Sequence, residues 1–216
     1  MPRLAVFDLD GTLTRADSFG PFVLGLLRQH PARLLRVPLV VVPVMGYALR
    51  ILGRGELKAA LIRLLFGNLP RAAVDDFATR YARHVVEAQM FPEAVATLRS
   101  HLAAGDPVVL LSASPDLYVP RIGTLLGVSE THCTRIRWNG DLLDGRLEGR
   151  NRRDEEKLRV VEHLRAAYPG LPVIAYGNSS PDLVHMRHCE QAVYVNADTA
   201  LARQLTADGI RCVRWT

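Results

Sequence analysis

Two carboxylates, Asp8 and Asp10, stand at i and i+2 directly behind the apolar run Leu4-Ala5-Val6-Phe7 and directly ahead of Gly11-Thr12. Like charges that close repel unless they share a cation or a proton, so a solvated turn is the lesser expectation for this pair. Asp8, followed by a sharp glycine turn, can present one oxygen for attack and another to a divalent metal. Asp10 can then protonate a leaving oxygen and later accept a proton from water. Three further polar features follow: Ser112 at the end of the run Val108–Leu111, Lys157 behind Asp154, and Gly177-Asn178 with Asp182. Ser112 can donate to a ligand oxygen at this edge; the alternative is a strand-end hydroxyl satisfied by its own backbone. Lys157 and Lys58 are the only lysines among 27 basic residues. Lys157 can offset the charge of Asp8, or it is an exposed helical lysine paired with Asp154. Asp182 has its own bland reading, an acid favoured at a helix N-terminus by the dipole.

The elements that must hold these residues alternate. Residues 4–8 read as a buried strand that stops at a ligand-binding edge. Asp17 to Val86 is helical throughout, broken at Pro31, Pro38, Pro43, Gly53 and the Asn68-Leu69-Pro70 turn. From Glu93 onward, helices alternate with apolar strands at 107–111, 172–177, 193–196 and 210–215. Ser114-Pro115-Asp116 and Ser180-Pro181-Asp182 each carry helix-opening signals, and Asn139-Gly140 with Asp144-Gly145 predicts a hairpin. The fold class is therefore α/β, a mostly parallel sheet covered on both faces with ligands at the carboxyl ends of its strands, interrupted by a helical insertion.

At this point the motifs become specific. Phe7-Asp8-Leu9-Asp10-Gly11-Thr12-Leu13-Thr14 resembles the first motif of the haloacid dehalogenase superfamily. Leu110-Leu-Ser112-Ala-Ser114-Pro115 resembles the second, Lys157 the third, and Tyr176-Gly-Asn178-Ser-Ser-Pro-Asp182 the fourth, in the family's order. The insertion between the first two is similar to the type 1 cap of subfamily IB, which includes phosphoserine phosphatases. The resemblance implies a Rossmann-like core of residues 1–14 and 87–216, a helical cap of residues 15–86, and a phosphatase with Asp8 as nucleophile and Asp10 as general acid/base. It further implies Mg²⁺ held by Asp8, the backbone carbonyl of Asp10, and Asn178, with Asp182 in direct contact or one step behind. The phosphorylated substrate would meet Thr12, Ser112, Ala113 and Asp17; Asp17 otherwise caps the first cap helix. Most relatives carry an acid where Asn178 stands, so metal binding is expected to be weaker here. A core that has lost efficient catalysis and serves as a phospho-ligand binding module is the alternative.

The chain has 216 residues, 49% hydrophobic and 23% charged, which excludes disorder and fibrous folds. Its net charge of +5 is uneven: residues 15–86 carry 11 basic and 4 acidic side chains. A basic segment attracts anionic substrates, phospholipid or nucleic acid alike; a small phosphorylated substrate is the expectation and nucleic acid is not. Cys133, Cys189 and Cys212 offer neither a disulfide framework nor a zinc site. With no export signal in the first residues, a reducing, cytoplasmic setting is expected. Val37–Leu49 is uncharged, interrupted by prolines, and flanked by Arg33, Arg36, Arg50 and Arg54. It is too short to be expected to cross a bilayer. Burial inside the helical module is the first expectation; peripheral membrane contact, or action on phosphate carried by a lipid, is the second.

Overall fold

A computed structural model describes residues 2–216. In chain order come β1 (Leu4–Phe7), α1 (Phe19–Gln29), a 3₁₀ segment (Pro31–Val40), α2 (Val41–Ala48), α3 (Arg54–Phe66), α4 (Arg71–His84) and a π-helical turn (Val85–Gln89). Then follow α5 (Pro92–Ala103), β2 (Val108–Pro115), α6 (Val119–Leu126), β3 (Glu130–Thr134), β4 (Ile136–Asn139), β5 (Leu142–Leu147) and α7 (Glu155–Ala167). The chain closes with β6 (Val173–Gly177), α8 (Ser180–Met186), β7 (Gln191–Val195), α9 (Thr199–Ala207) and β8 (Arg211–Val213).

Six strands form one parallel sheet in the order β3-β2-β1-β6-β7-β8. β1 lies near its centre, so the strand that ends in Asp8 has the second motif on one side and the fourth on the other. This is where an open α/β sheet gathers ligands. Successive side chains of a strand face opposite ways: Ala5, Phe7, Val108 and Leu110 enter one apolar cluster, and Leu4, Val6, Val109 and Leu111 enter another with Val160, Val161 and Leu164 of α7. The first cluster continues without a break into the helical insertion through Phe22, Ile62, Phe66 and Tyr81; the Phe22 and Tyr118 rings sit 4.6 Å apart. Insertion and sheet thus share one core. The antiparallel β4–β5 pair forms the expected hairpin and leans on α3, with Gly145 against the Arg63 backbone. The three cysteines are free.

Two expectations need correction. Ser114-Pro115-Asp116 does not open a helix; β2 runs on through Pro115, which pairs with Thr134, and α6 starts at Val119. Strand pairing outweighs the local capping signal: the Asp116 amide donates to Thr134 O (2.8 Å) and its carboxylate accepts from the Ile136 amide (3.0 Å). The apolar stretch, in turn, is not buried. No residue of the 3₁₀ segment is buried and Pro43 alone is buried in α2, while Leu35 is 87% exposed, Val42 75% and Ile51 73%. The inward side of α3 is already filled by Ile62, Leu65 and Phe66. The segment therefore lies outside α3, tied down by Arg33 and Arg36, which donate to the carbonyls of Gly67 (2.7 Å) and Leu64 (3.5 Å).

Candidate active site

β1 delivers Asp8 on a fixed backbone: its amide donates to Tyr176 O of β6 at 3.0 Å. The chain then turns so tightly that the amides of Thr12, Leu13 and Thr14 all donate back to Leu9 O, at 3.3, 2.9 and 3.0 Å. Gly11 makes this possible twice over. Its φ is +82°, and a Cβ there would sit 2.1 Å from Asn178 Nδ2. The loop after β6 can thus close directly over the loop after β1.

Lys157 is buried on the first turn of α7, with Nζ 2.6 Å from Asp8 Oδ1 and 2.6 Å from Asp182 Oδ1. It does not pair with Asp154, which meets Arg153 instead. Burial opposes the ammonium charge, but the two carboxylates outweigh it and hold Lys157 above its usual range. Asp182 stays ionised despite burial because Lys157 and Ser179 surround it: Ser179 Oγ donates to Oδ2 at 2.6 Å. Asp8 is the group that loses. Burial pushes its carboxyl up to about 7; Lys157 pulls the other way, and the charges of Asp182 and Asp10 add to the rise. Under the cluster, His185 is buried with Nδ1 lacking a partner; burial, then the Lys157 charge, lowers it to about 3.

Asp10 faces away from that cluster. Its Oδ1 accepts from the Ser18 amide (2.7 Å) and Ser18 Oγ (2.6 Å), and its Oδ2 accepts from Ser114 Oγ (2.5 Å). The hydroxyl of Tyr118 lies 2.9 Å from Ser18 Oγ, and Tyr81 donates to Ser18 O at 2.6 Å. Both rotation and position of the Asp10 carboxylate are fixed from the cap side and the sheet side together.

Asp8, Asp10, Asp17, Ala113, Lys157, Asn178 and Asp182 line one cavity of about 360 Å³ between the insertion and the sheet edge. Asp17 also accepts from the Phe19 amide (2.8 Å), so lining the cavity and turning the chain into α1 coexist in one side chain. Thr12 and Ser112 do not reach the cavity. Thr12 Oγ is behind its floor, 3.1 Å from both Asp8 Oδ2 and Asn178 Oδ1, and Ser112 Oγ accepts from the Ser114 amide at 3.0 Å. Sequence reasoning missed Ser18 and Ser114, whose contact with Asp10 spans 8 and 104 residues. It also missed Arg54, Lys58 and Arg153, three cations on the cavity wall. Lys58 donates to Ser114 Oγ at 3.3 Å and stacks over Phe19; its rarity was the one signal available for it.

The donors fit a hard divalent cation. A carboxylate oxygen of Asp8 and the amide oxygen of Asn178 converge on one hydroxyl, and two carboxylates, Asp8 and Asp182, face the single Lys157 ammonium, an excess of negative charge that a cation relieves. Among the described residues no group of three or more His, Cys, Asp or Glu is set to hold a metal. Asp182 is committed to Lys157, to Ser179 and to the Asn178 amide, and so anchors the loop that carries Asn178.

Comparison with known proteins agrees with this geometry. Protein CicA of Caulobacter vibrioides (strain NA1000 / CB15N) is 34% identical over 193 residues, which cover 84% of this chain and 80% of CicA. A solved structure of a protein of unknown function from Bordetella pertussis Tohama I superposes with a TM-score of 0.81 at 23% identity, covering 99% and 98% of the two chains. A substrate-bound phosphoserine phosphatase shares the fold, with a TM-score of 0.67 at 16% identity over 99% and 93%. Residues 5–187 match the family model of haloacid dehalogenase-like hydrolases, and the chain belongs to that family.

Proposed function

We propose that this hydrolase is a Mg²⁺-dependent phosphomonoesterase that works through a phosphoryl group carried transiently by Asp8. The observation that carries the reading is the pairing of Asp8 with Lys157 at the bottom of the cavity while Asp10 is held apart by Ser18 and Ser114. Two carboxylates two residues apart are thereby given different tasks. Asp8 attacks phosphorus as the P–O bond of the ester breaks; Asp10 gives its proton to the leaving oxygen. Water then loses a proton to Asp10 and attacks the same phosphorus, the bond to Asp8 breaks, and inorganic phosphate leaves with both carboxylates restored. Lys157 offsets the charge on Asp8 throughout. Asp8, Asn178 and the Asp10 carbonyl would hold Mg²⁺, which supplies neutralisation of the phosphoryl oxygens. The insertion covers the reacting centre and limits water.

The substrate is expected to be a small phosphorylated molecule, and Arg54, Lys58 and Arg153 on the cavity wall stand ready for a second anionic group on it. The test is a panel of phosphate monoesters assayed with and without Mg²⁺. Turnover that requires Mg²⁺, disappears in Asp8→Asn and favours monoesters that carry a second anionic group besides the phosphate supports the reading. Full turnover by Asp8→Asn ends it.

A further inference from the structure

The largest uncovered apolar surface lies on the insertion. Leu34, Leu35, Val37, Leu39, Val41, Val42, Val44, Met45, Leu49 and Ile51 are all exposed; a monomeric protein rarely leaves so continuous a face to water without a use for it. Beneath it, a groove of about 850 Å³ runs between α2 and α3, lined by Leu39, Val42, Pro43, Ile51, Leu52 and Leu64. The rim is basic. Arg36 and Arg63 line the groove; no acidic residue occurs between Asp17 and Glu56, and Arg28, Arg50 and Arg54 of that stretch are exposed.

We infer that this face is a docking surface for anionic phospholipid bilayers. Charge and apolarity agree in the way an interfacial element requires: apolar side chains to enter the acyl boundary and arginines around them to meet lipid phosphates. Pro31–Ala48 is 18 residues of continuous helix with a mean hydropathy of 1.2. By length and apolarity alone such a helix suffices to span a bilayer, but its arginines bind the α3 carbonyls and hold it flat on the insertion. A second copy of the chain fits less well, since a two-fold contact would set the same arginines against each other with no acid to answer them. The docked face adjoins the catalytic cavity: Tyr47 of α2 accepts from Arg54 Nε at 3.3 Å, and Arg54 lines the cavity wall.

Cosedimentation with vesicles tests the inference, using the full chain and two lipid compositions, phosphatidylcholine alone and phosphatidylcholine with phosphatidylglycerol. The wild-type protein is expected to sediment with the anionic vesicles at low salt, and less as salt shortens the range of the arginine charges. The double substitution L35D/V42D removes only exposed side chains, so turnover of a soluble phosphate monoester should match wild type while vesicle partition falls by at least about tenfold. R28E/R50E should lower partition to the anionic vesicles alone. Wild-type protein left in the supernatant at low salt would overturn the inference. So would wild-type partition by L35D/V42D, or a dimer in light scattering that the same substitution converts to monomer.

Discussion

Asp10 meets two serine hydroxyls and a backbone amide, whereas Asp8 meets a buried ammonium and the repulsion of two other carboxylates. Asp10→Asn is expected to lower kcat by about 10² to 10⁴, with the fold unchanged as judged by circular dichroism. Asn178 is the neutral oxygen donor of the set. Asn178→Asp is expected to lower the Mg²⁺ concentration for half-maximal turnover by about tenfold or more; no change would mean that the amide oxygen is already an adequate donor, and a large rise in turnover at saturating Mg²⁺ would mark the wild-type core as catalytically impaired. His185 titrates far below its unfolded value of 6.5, at about 3. Between those values the unfolded chain binds the proton and the folded chain does not, so stability is complete above pH 6.5 and declines by about 1.4 kcal/mol per pH unit as pH falls toward 3. Chemical denaturation at pH 7 and pH 5 should show His185→Phe losing less stability than wild type on acidification. Asp8, Asp10 and Lys157 were legible in sequence because their types and spacing have few other uses. Ser18 and Ser114 were not, since nothing local marks a hydroxyl that will meet a carboxylate from another part of the chain.

At the scale of elements, the hairpin β4–β5 sets the insertion on the sheet domain. Gly145 has a φ of +83° and packs so closely that a Cβ would lie 2.6 Å from the Arg63 Cα, whereas Gly140, at φ +56°, faces open space. Gly140→Ala is expected to cost about 1 kcal/mol, the conformational penalty alone. Gly145→Ala adds a backbone clash and should cost about 2 kcal/mol or more; urea midpoints of the two variants separate the contributions. Most strands and helices were readable from periodicity, and both misreadings have physical causes. Proline and serine signals at 114–116 lose to the pairing of Pro115 with Thr134. The stretch Val37–Leu49 is apolar enough for a core, yet α3 has its inner face filled before that segment arrives, a fact about neighbours that no window of sequence contains.

For the molecule as a whole, the sheet and the insertion share one apolar cluster and hold the cavity between them, so cations from the insertion and carboxylates from the sheet edge face one another across it. Of the basic residues in 15–86 whose excess is visible in composition, the fold sets Arg54 and Lys58 on the cavity wall and Arg36 and Arg63 on the apolar groove. The central claim is narrower than either: Asp8 carries the phosphoryl group. Acid-quenched enzyme, mixed with a soluble phosphate monoester and Mg²⁺ and digested for mass spectrometry, tests it directly. A phosphoryl group on the peptide that contains Asp8 is the predicted result. Normal turnover with that peptide unmodified, or with the phosphoryl group on another residue, would contradict the account.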